Sequence, residues 1–599
     1  MELNVYKVMN TIINKTIIMC GIFSLFNNKY AFTNKYINEQ FMLGKGRGPE
    51  FSKLEQVHDK LLFGFHRLAI NGLNNESNQP LKIDDVTLIC NGEIYNYKEL
   101  YDMMNITPST DSDCEVIIHL YRKYGIEYTL QMLDGVFAFV LVDNRIDKEN
   151  NTSGNVYVAR DPYGIRPLYM LTLSSNMFDK LDVLPPIYGF ASEIKMFSNI
   201  YQSFIKNEIG NNYKIEQFMP GTYSKLSINI SSQPIWRVVK YQQTYTMPGF
   251  SSTKMLVDND YDSIIKNIQT YFFSAIKKRV ITSERPIACL LSGGLDSSLV
   301  TAIVNMYMKE ITDVPLETYS IGLEGSEDHK YARIVADYLG TNHTEIVMTE
   351  EEFISVIPEV IYAIESYDTT TVRASIGNYL IGKYISEHSE AKVIFNGDGS
   401  DELCGGYLYM HKCPDSIEFD KECRRLLKDI HTFDVLRSDK CISTHGLEPR
   451  TPFLDRAWVQ YYLSIHPDIR CHTKNKQCEK HLLRDSFSGK YFVDKNGKPL
   501  LPDVILWRTK EAFSDGVSKN TRSLYSIIQE YTSLDDTKEE GGEQHEDMER
   551  NEKKYYKDTF NSYYPNMEQI IPYYWMPRYC SASSSSARTL DFYNEKMNH

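Results

Sequence analysis

The stretch PIACLLSGGLDSSLVTAIVNMY, from Pro286 to Tyr307, reads as a strand, a glycine turn and a helix in direct succession. The apolar run ends at Leu291, and Gly293 and Gly294 let the backbone turn tightly and approach a ligand closely. Beyond them Leu299, Val300, Ile303 and Val304 fall on one helical face. Backbone N–H groups at the start of such a helix form an anion site. The run lacks G-x-x-x-x-G-K-[ST], so it is no Walker loop, and taken alone Asp296 or Ser297 could simply cap the helix.

Working outward, helical periods such as YDSIIKNIQTYFFSAIKKRV alternate with short strands from about residue 255, which predicts a doubly wound parallel sheet. Upstream, LLFGFHRLAI, VTLICNGEIYNY and GVFAFVLVD read as short strands of a sheet-rich layer domain, with helix around residues 120–134. A chain of 599 residues exceeds one hydrophobic core, so two domains are expected, at 20–230 and 255–599. The charged run Asp535 to Lys554, with Gly541 and Gly542, reads as a solvated or disordered insertion, and Ser583 to Ser586 as a flexible tail.

Composition narrows the function. A net charge of -14 argues against nucleic acid as the principal partner. The 11 cysteines form no C-x-x-C pair, and their odd number leaves at least one unpaired, the pattern of reduced thiols in a cytoplasmic protein. Residues 1–19 carry Glu2, Lys7 and Lys15 among their apolar positions and lack a signal-peptide core. No stretch reaches the roughly 18 apolar residues of a membrane span, so no membrane partner is expected.

A second strand end lies in VIFNGDGSDELCGGY, Val393 to Tyr407, where Asp398, Asp401 and Glu402 cluster at the carboxyl edge expected to bind ligands. Polyphosphate chemistry needs oxygen ligands for Mg²⁺, commonly one or two carboxylates. An acidic solvent-facing turn would fit this stretch equally well if it stood alone. It is joined by YDTTTVRAS (Tyr367 to Ser375), GLEPRTPFLD (Gly446 to Asp455), EKHLLRD (Glu479 to Asp485) and WRTKEAFSDGV (Trp507 to Val517). SGGLDSS resembles the pyrophosphate loop of the ATP pyrophosphatases. The whole set is similar to the synthetase half of the glutamine-dependent asparagine synthetases, with a weaker likeness in CSASSSSARTLDFY near the end.

That resemblance implies an α/β ATP-pyrophosphatase domain and a set of roles. Leu291 and Ile321 would contact base and ribose, Ser292, Gly293, Gly294 and Ser297 would line the phosphate loop, and Asn396 and Gly397 would complete the ATP site. Asp296 and Asp401 would hold Mg²⁺ on the pyrophosphate, and Lys480 would stabilise charge as phosphorus is attacked. Thr370 and Arg373 would position aspartate, and Asp398 would serve in forming its adenylate. Many relatives read SGEGSDE where this chain reads NGDGSDE, so Asn396 stands for Ser and Asp398 for Glu, one methylene shorter in reach.

In the first half, IIMCGIFSLF (Ile17 to Phe26) sets Cys20 before an apolar strand. With GRGPE, HRLAI, NGEIYNY, SDCEV and ARDPYGIRPLY in that order, it resembles the class II glutamine amidotransferases, whose α+β fold is an N-terminal-nucleophile sandwich. The resemblance makes Cys20 the nucleophile, with its own α-amine as base, and Asn91 with the Gly92 N–H the oxyanion hole. Arg67 and the run Leu68, Ala69, Ile70 and Asn71 would bind glutamine, Arg67 forking the α-carboxylate while Glu93 and Asp113 take the α-ammonium. Asn91-Gly92 is also the strongest two-residue hairpin signal, and Arg160 and Asp161 read as braces of the fold. A Cys inside a peptide bond has no free α-amine, so the active form is expected to begin at Cys20, with residues 1–19 absent or removed.

The two halves imply synthesis of asparagine from aspartate, glutamine and ATP through β-aspartyl-AMP, and the resemblance also implies a homodimer. Alternatives are an ammonia-only synthetase whose extension silences the glutaminase, or a degenerate binding or regulatory homologue.

Overall fold

The computed structural model describes residues 20–28, 31–174, 186–230, 235–254, 260–474, 476–510, 516–518, 522–533 and 544–580. The expected extension 1–19, the serine run at 583–586 and residues 535–543 of the charged run lie outside these residues.

Twelve strands build the first half: β1 (Gly21–Phe26), β2 (Phe51–His58), β3 (Leu61–Arg67), β4 (Leu81–Ile83), β5 (Val86–Ile94), β6 (Gly135–Asp143), β7 (Thr152–Arg160), β8 (Tyr169–Leu173), β9 (Tyr188–Ala191), β10 (Tyr213–Gln217), β11 (Thr222–Asn229) and β12 (Arg237–Thr244). They form two six-stranded sheets, in the orders β10-β8-β9-β1-β3-β2 and β12-β11-β7-β6-β5-β4. Neighbouring strands pair antiparallel throughout.

The unbroken apolar run of β6 follows from burial of both its faces. Ala138, Val140 and Val142 join Ile22, Phe63 and Val158 in the core of the sandwich. Phe137, Phe139 and Leu141 pack instead with Leu100, Ile117 and Leu120 of the covering helices Tyr97–Met104 and Val116–Tyr124. β12 extends the second sheet to Thr244, past the expected boundary at residue 230. It is an edge strand with no fully buried residue, so it carries little hydrophobic signal.

The second half holds β13 (Ile287–Leu290), β14 (Glu317–Leu323), β15 (Asn342–Met348), β16 (Val393–Phe395) and β17 (Glu448–Arg450) in one parallel sheet, in the order β15-β14-β13-β16-β17. The chain leaves β13 in one direction through β14 and β15, then returns to β13's other side with β16. The order therefore reverses between β13 and β16, and a sheet of this kind opens a ligand crevice at the carboxyl ends of those strands. The two ends carry Leu291–Gly294 and Asn396–Gly399, the segments singled out from the sequence.

The charged run departs from its expected state. Residues 544–554 begin a helix, Gln544–Tyr563, and Glu552 in it is wholly buried. Glu552, Tyr556, Phe560 and Tyr564 recur at four-residue spacing and are all buried, an inward stripe that the surrounding charges conceal in the sequence.

Candidate functional site

The first group of residues gathers around Cys20, just ahead of β1. Its Sγ donates to Leu68 O (3.2 Å) and accepts from Leu68 N (3.3 Å), so the HRLAI segment clasps the thiol. Burial, with the negative charges of Glu93 and Glu448 adding to it, pushes the thiol up to about 12. Asn91 and Gly92 sit inside β5, paired with Ala138 and Phe137, and form no hairpin turn. Asn91 Nδ2 lies 3.4 Å from Ser192 Oγ.

Arg67 donates through Nη1 to Asn74 O (2.8 Å) and Asn78 Oδ1 (2.7 Å), and through Nη2 to Gly72 O, so its fork is held by the 71–78 loop. Asn71 Nδ2 donates to Glu93 Oε2 (2.5 Å), and Ile94 N to Asp113 Oδ2 (2.6 Å). Burial raises both acids: Glu93 rises well above its usual range, helped by Glu448 and Asp113, and Asp113 reaches about 7. Ala69 N donates to Glu50 Oε2 (2.8 Å), and Ile70 O accepts from Glu284 N (3.2 Å) at the edge of the second half. Arg160 and Asp161 do brace the fold: the guanidinium holds the carbonyls of Gly164, Arg166 and Phe218, and the carboxylate accepts from the backbone of Tyr163, Ile165 and Arg166.

The second group surrounds one deep cavity at the β13–β16 crevice. Leu291, Ser292, Gly294, Asp296, Ser297, Ile321, Asn396 and Gly397 border it, together with Thr370, Arg373, Asp398, Asp401 and Lys480. Gly293 stands just behind, at φ +71, with the backbone of Tyr331 and Ala332 against the place a Cβ would take. The helix Leu295–Ile311 is capped by Gly294 with no side-chain bond, so Asp296 is not spent as a cap. Its Oδ1 accepts from Ser400 Oγ (2.8 Å) and its Oδ2 from Lys480 Nζ (2.6 Å).

Lys480 also meets Asp401 Oδ1 at 2.6 Å, and Lys510 meets Asp401 Oδ2 at 2.8 Å. Burial opposes ionisation of Asp401, yet the two ammonium groups hold its carboxyl well below the usual range. Lys480 is buried and raised in turn by Asp296 and Asp401. The two residues that depart from the common pattern touch each other: Asn396 Nδ2 donates to Asp398 Oδ2 (2.7 Å), and Arg437 takes the other Asp398 oxygen at 3.0 Å. Thr370 Oγ1 is buried with no hydrogen-bond partner among the described residues, although Thr370 borders the cavity. Arg373 is engaged from behind by Glu552.

Several contributors went unassigned in the sequence. Lys510 lies within the quoted WRTKEAFSDGV run and Arg47 within GRGPE, but neither had a role. Arg47 Nε donates to the Cys20 carbonyl (3.0 Å), and its Nη1 reaches Asp439 (2.7 Å) in the second half. The helix Asp434–Ser443 had no motif at all, yet its Asp434 accepts from Gly399 N (2.9 Å) at the cavity while its Asp439 meets Arg47 and Arg166 at the other domain.

Comparison with known proteins finds a match for each half of the chain. The asparagine synthase family matches residues 268–419 and 414–570, and the glutamine amidotransferase domain matches residues 19–236. The glutamine-hydrolyzing asparagine synthetase of Gallus gallus is 40% identical over 595 residues, covering 97% of this chain and 100% of the relative. Those of Bos taurus and Homo sapiens are 39% and 38% identical, covering 96% and 97% of this chain and 99% and 100% of their own. With a glutaminase-type sandwich and a phosphate-loop parallel sheet in one polypeptide, and this likeness along nearly all of it, the chain belongs to the glutamine-hydrolysing asparagine synthetases.

Proposed function

We propose that this enzyme makes asparagine from aspartate, taking nitrogen from glutamine and energy from ATP, and that it releases AMP, pyrophosphate and glutamate. The observation that carries this reading is that one cavity is bordered at once by the SGGLDSS loop, the NGDGSDE segment, Thr370, Arg373 and Lys480. ATP lies along the loop, its base and ribose toward Leu291 and Ile321 and its phosphates toward Ser292, Gly294 and Ser297. The helix N-terminus and Lys480 offset charge as the aspartate β-carboxylate attacks the α-phosphorus to give β-aspartyl-AMP. Thr370 and Arg373 hold aspartate beside Asp398.

Two carboxylates, Asp296 and Asp401, meet at one ammonium group, a donor set that suits Mg²⁺ shared with phosphate oxygens. When bound, Mg²⁺ would neutralise the departing pyrophosphate.

In the first domain Cys20 attacks the glutamine amide carbon as thiolate. Asn91 and the Gly92 N–H receive the oxyanion, and Arg67, Asn71, Glu93 and Asp113 select the amino-acid end. Attack as thiolate needs a base that takes the thiol proton, and the α-amine of Cys20 supplies one only when residues 1–19 are gone. The reading takes the enzyme to be cytoplasmic, which its unpaired thiols support, and homodimeric, as family resemblance suggests. The test is to follow AMP, pyrophosphate and asparagine with glutamine or ammonium as nitrogen source, alongside the mass of the active chain. Equal amounts of the three products from either source are expected from protein beginning at Cys20. Synthesis from ammonium alone would remove the glutaminase role, and full glutamine-dependent activity with residues 1–19 attached would overturn the processing step.

A further inference from the structure

Arg373 borders the cavity, but its orientation is set from outside it. Its Nε donates to Glu552 Oε1 (2.7 Å) and its Nη2 to Glu552 Oε2 (2.5 Å), a side-on fork between two buried groups. Tyr525 closes a further side, its ring centroid 4.4 Å from the guanidinium carbon. Nη1 donates no hydrogen bond to the described residues. Glu552 does not border the cavity. It stands at the start of the Glu552, Tyr556, Phe560 and Tyr564 stripe, the one carboxylate in an aromatic row. A buried carboxylate there costs free energy unless it is fully paired, and Arg373 pairs it with both oxygens.

We propose that Glu552 is a positioning residue of the aspartate subsite: it locks the Arg373 guanidinium so that Nη1 is left for a carboxylate of the substrate. The helix Gln544–Tyr563, which begins within the charged run, thereby supports the site from behind its lining. The inference rests on the reading that Arg373 binds aspartate. A bidentate pair fixes the plane of the guanidinium, and a planar donor misplaced by an ångström binds its carboxylate poorly. Without Glu552, Arg373 keeps its charge and loses its aim.

The experiment is ammonia-dependent synthesis by Glu552→Gln, Glu552→Asp and Arg373→Lys, with KM for aspartate and for ATP measured separately and glutamine hydrolysis as a folding control. Glu552→Gln is expected to raise the aspartate KM by on the order of ten- to a hundred-fold, with the ATP KM and glutaminase unchanged. Glu552→Asp, which keeps the charge, should recover part of the loss and decides the matter if Glu552→Gln does not fold. Lower kcat at an unchanged aspartate KM, or a parallel rise in both KM values, would mean that Glu552 is only a scaffold residue and would overturn the proposal. If Arg373→Lys raises the aspartate KM while both Glu552 variants leave it alone, this proposal alone fails. If Arg373→Lys leaves the aspartate KM unchanged, the aspartate reading of Arg373 fails and takes this inference with it.

Discussion

Lys480 joins the two carboxylates of the proposed synthetase site. Its ammonium group stands between Asp296 and Asp401, separating two carboxylates that would otherwise repel. Asp296→Ala removes one of these two carboxylates and lies in the half of the chain that does not hold Cys20. Asparagine formation should fall to background with either nitrogen source while glutamate release continues, as paired assays of asparagine and glutamate will read. In the other site, burial lifts Asp113 from its ordinary 3.8 to about 7. Between those values the folded protein keeps a proton that the unfolded chain has released, so Asp113 costs stability as pH rises across that window. Only the ionised form attracts an ammonium group. The glutamine KM should therefore fall as pH rises through about 7, and the Asp113→Asn variant should lose that slope; an identical KM–pH profile in both would remove Asp113 from glutamine binding.

At the scale of elements, two short pieces do the work that long ones cannot. The helix Ser400–Cys404 ends at a left-handed Gly405, and Gly406 beyond it lets Lys480 lie directly against the turn. A Cβ at Gly406 would fall inside van der Waals contact of both Lys480 Cε and Asp401 Oδ1. Gly406→Ala should displace the lysine and cut synthesis by on the order of a hundred-fold, with glutaminase activity and melting temperature little changed. The helix Asp434–Ser443 works through its two faces. Asp434, Arg437 and Ser438 support the Asn396–Gly399 turn, and Asp439, Lys440 and Ser443 contact the partners that tie it to the first domain and to Glu365.

Across the whole molecule the two domains meet over buried charge. Asp439 holds Arg47 at 2.7 Å and Arg166 at 3.0 Å, Arg166 reaches Glu448 at 3.1 Å, and Arg450 joins Glu448 to Glu93 of the first domain. Burial works against ionisation of Asp439, but the two guanidinium groups keep its carboxyl below the ordinary range. Removing its charge leaves both arginines buried with less compensation. Asp439→Asn should cost about 3–5 kcal/mol, visible as a lower denaturation midpoint. A midpoint equal to wild type would mean that the junction contributes little to holding the halves together.

What could be read from the sequence is local. SGGLDSS and NGDGSDE announce themselves because a strand, a glycine turn and a helix start lie within one short segment, and the topology then brings both strand ends to one crevice. Cys20, Asn91 and Asp113 were singled out because each lies within a short motif, and the fold gathers those motifs around the Cys20 thiol. The pairings were not legible: Lys480 lies 184 residues from Asp296, and Glu552, which no motif marked, lies 179 residues from Arg373. The apolar stripes that bring such segments together specify which face is buried but not which charged group arrives opposite it, because hydrophobic burial is non-directional. Charge read alone even misled, since a run rich in Glu and Lys suggests solvent while one of its carboxylates is wholly buried against an arginine. Sequence determined the two folds and which short motifs come to the β13–β16 crevice and to the surroundings of Cys20. Only the tertiary structure decided which ammonium, guanidinium and carboxylate groups pair, because a buried charge persists only where packing delivers its counter-charge within hydrogen-bond reach.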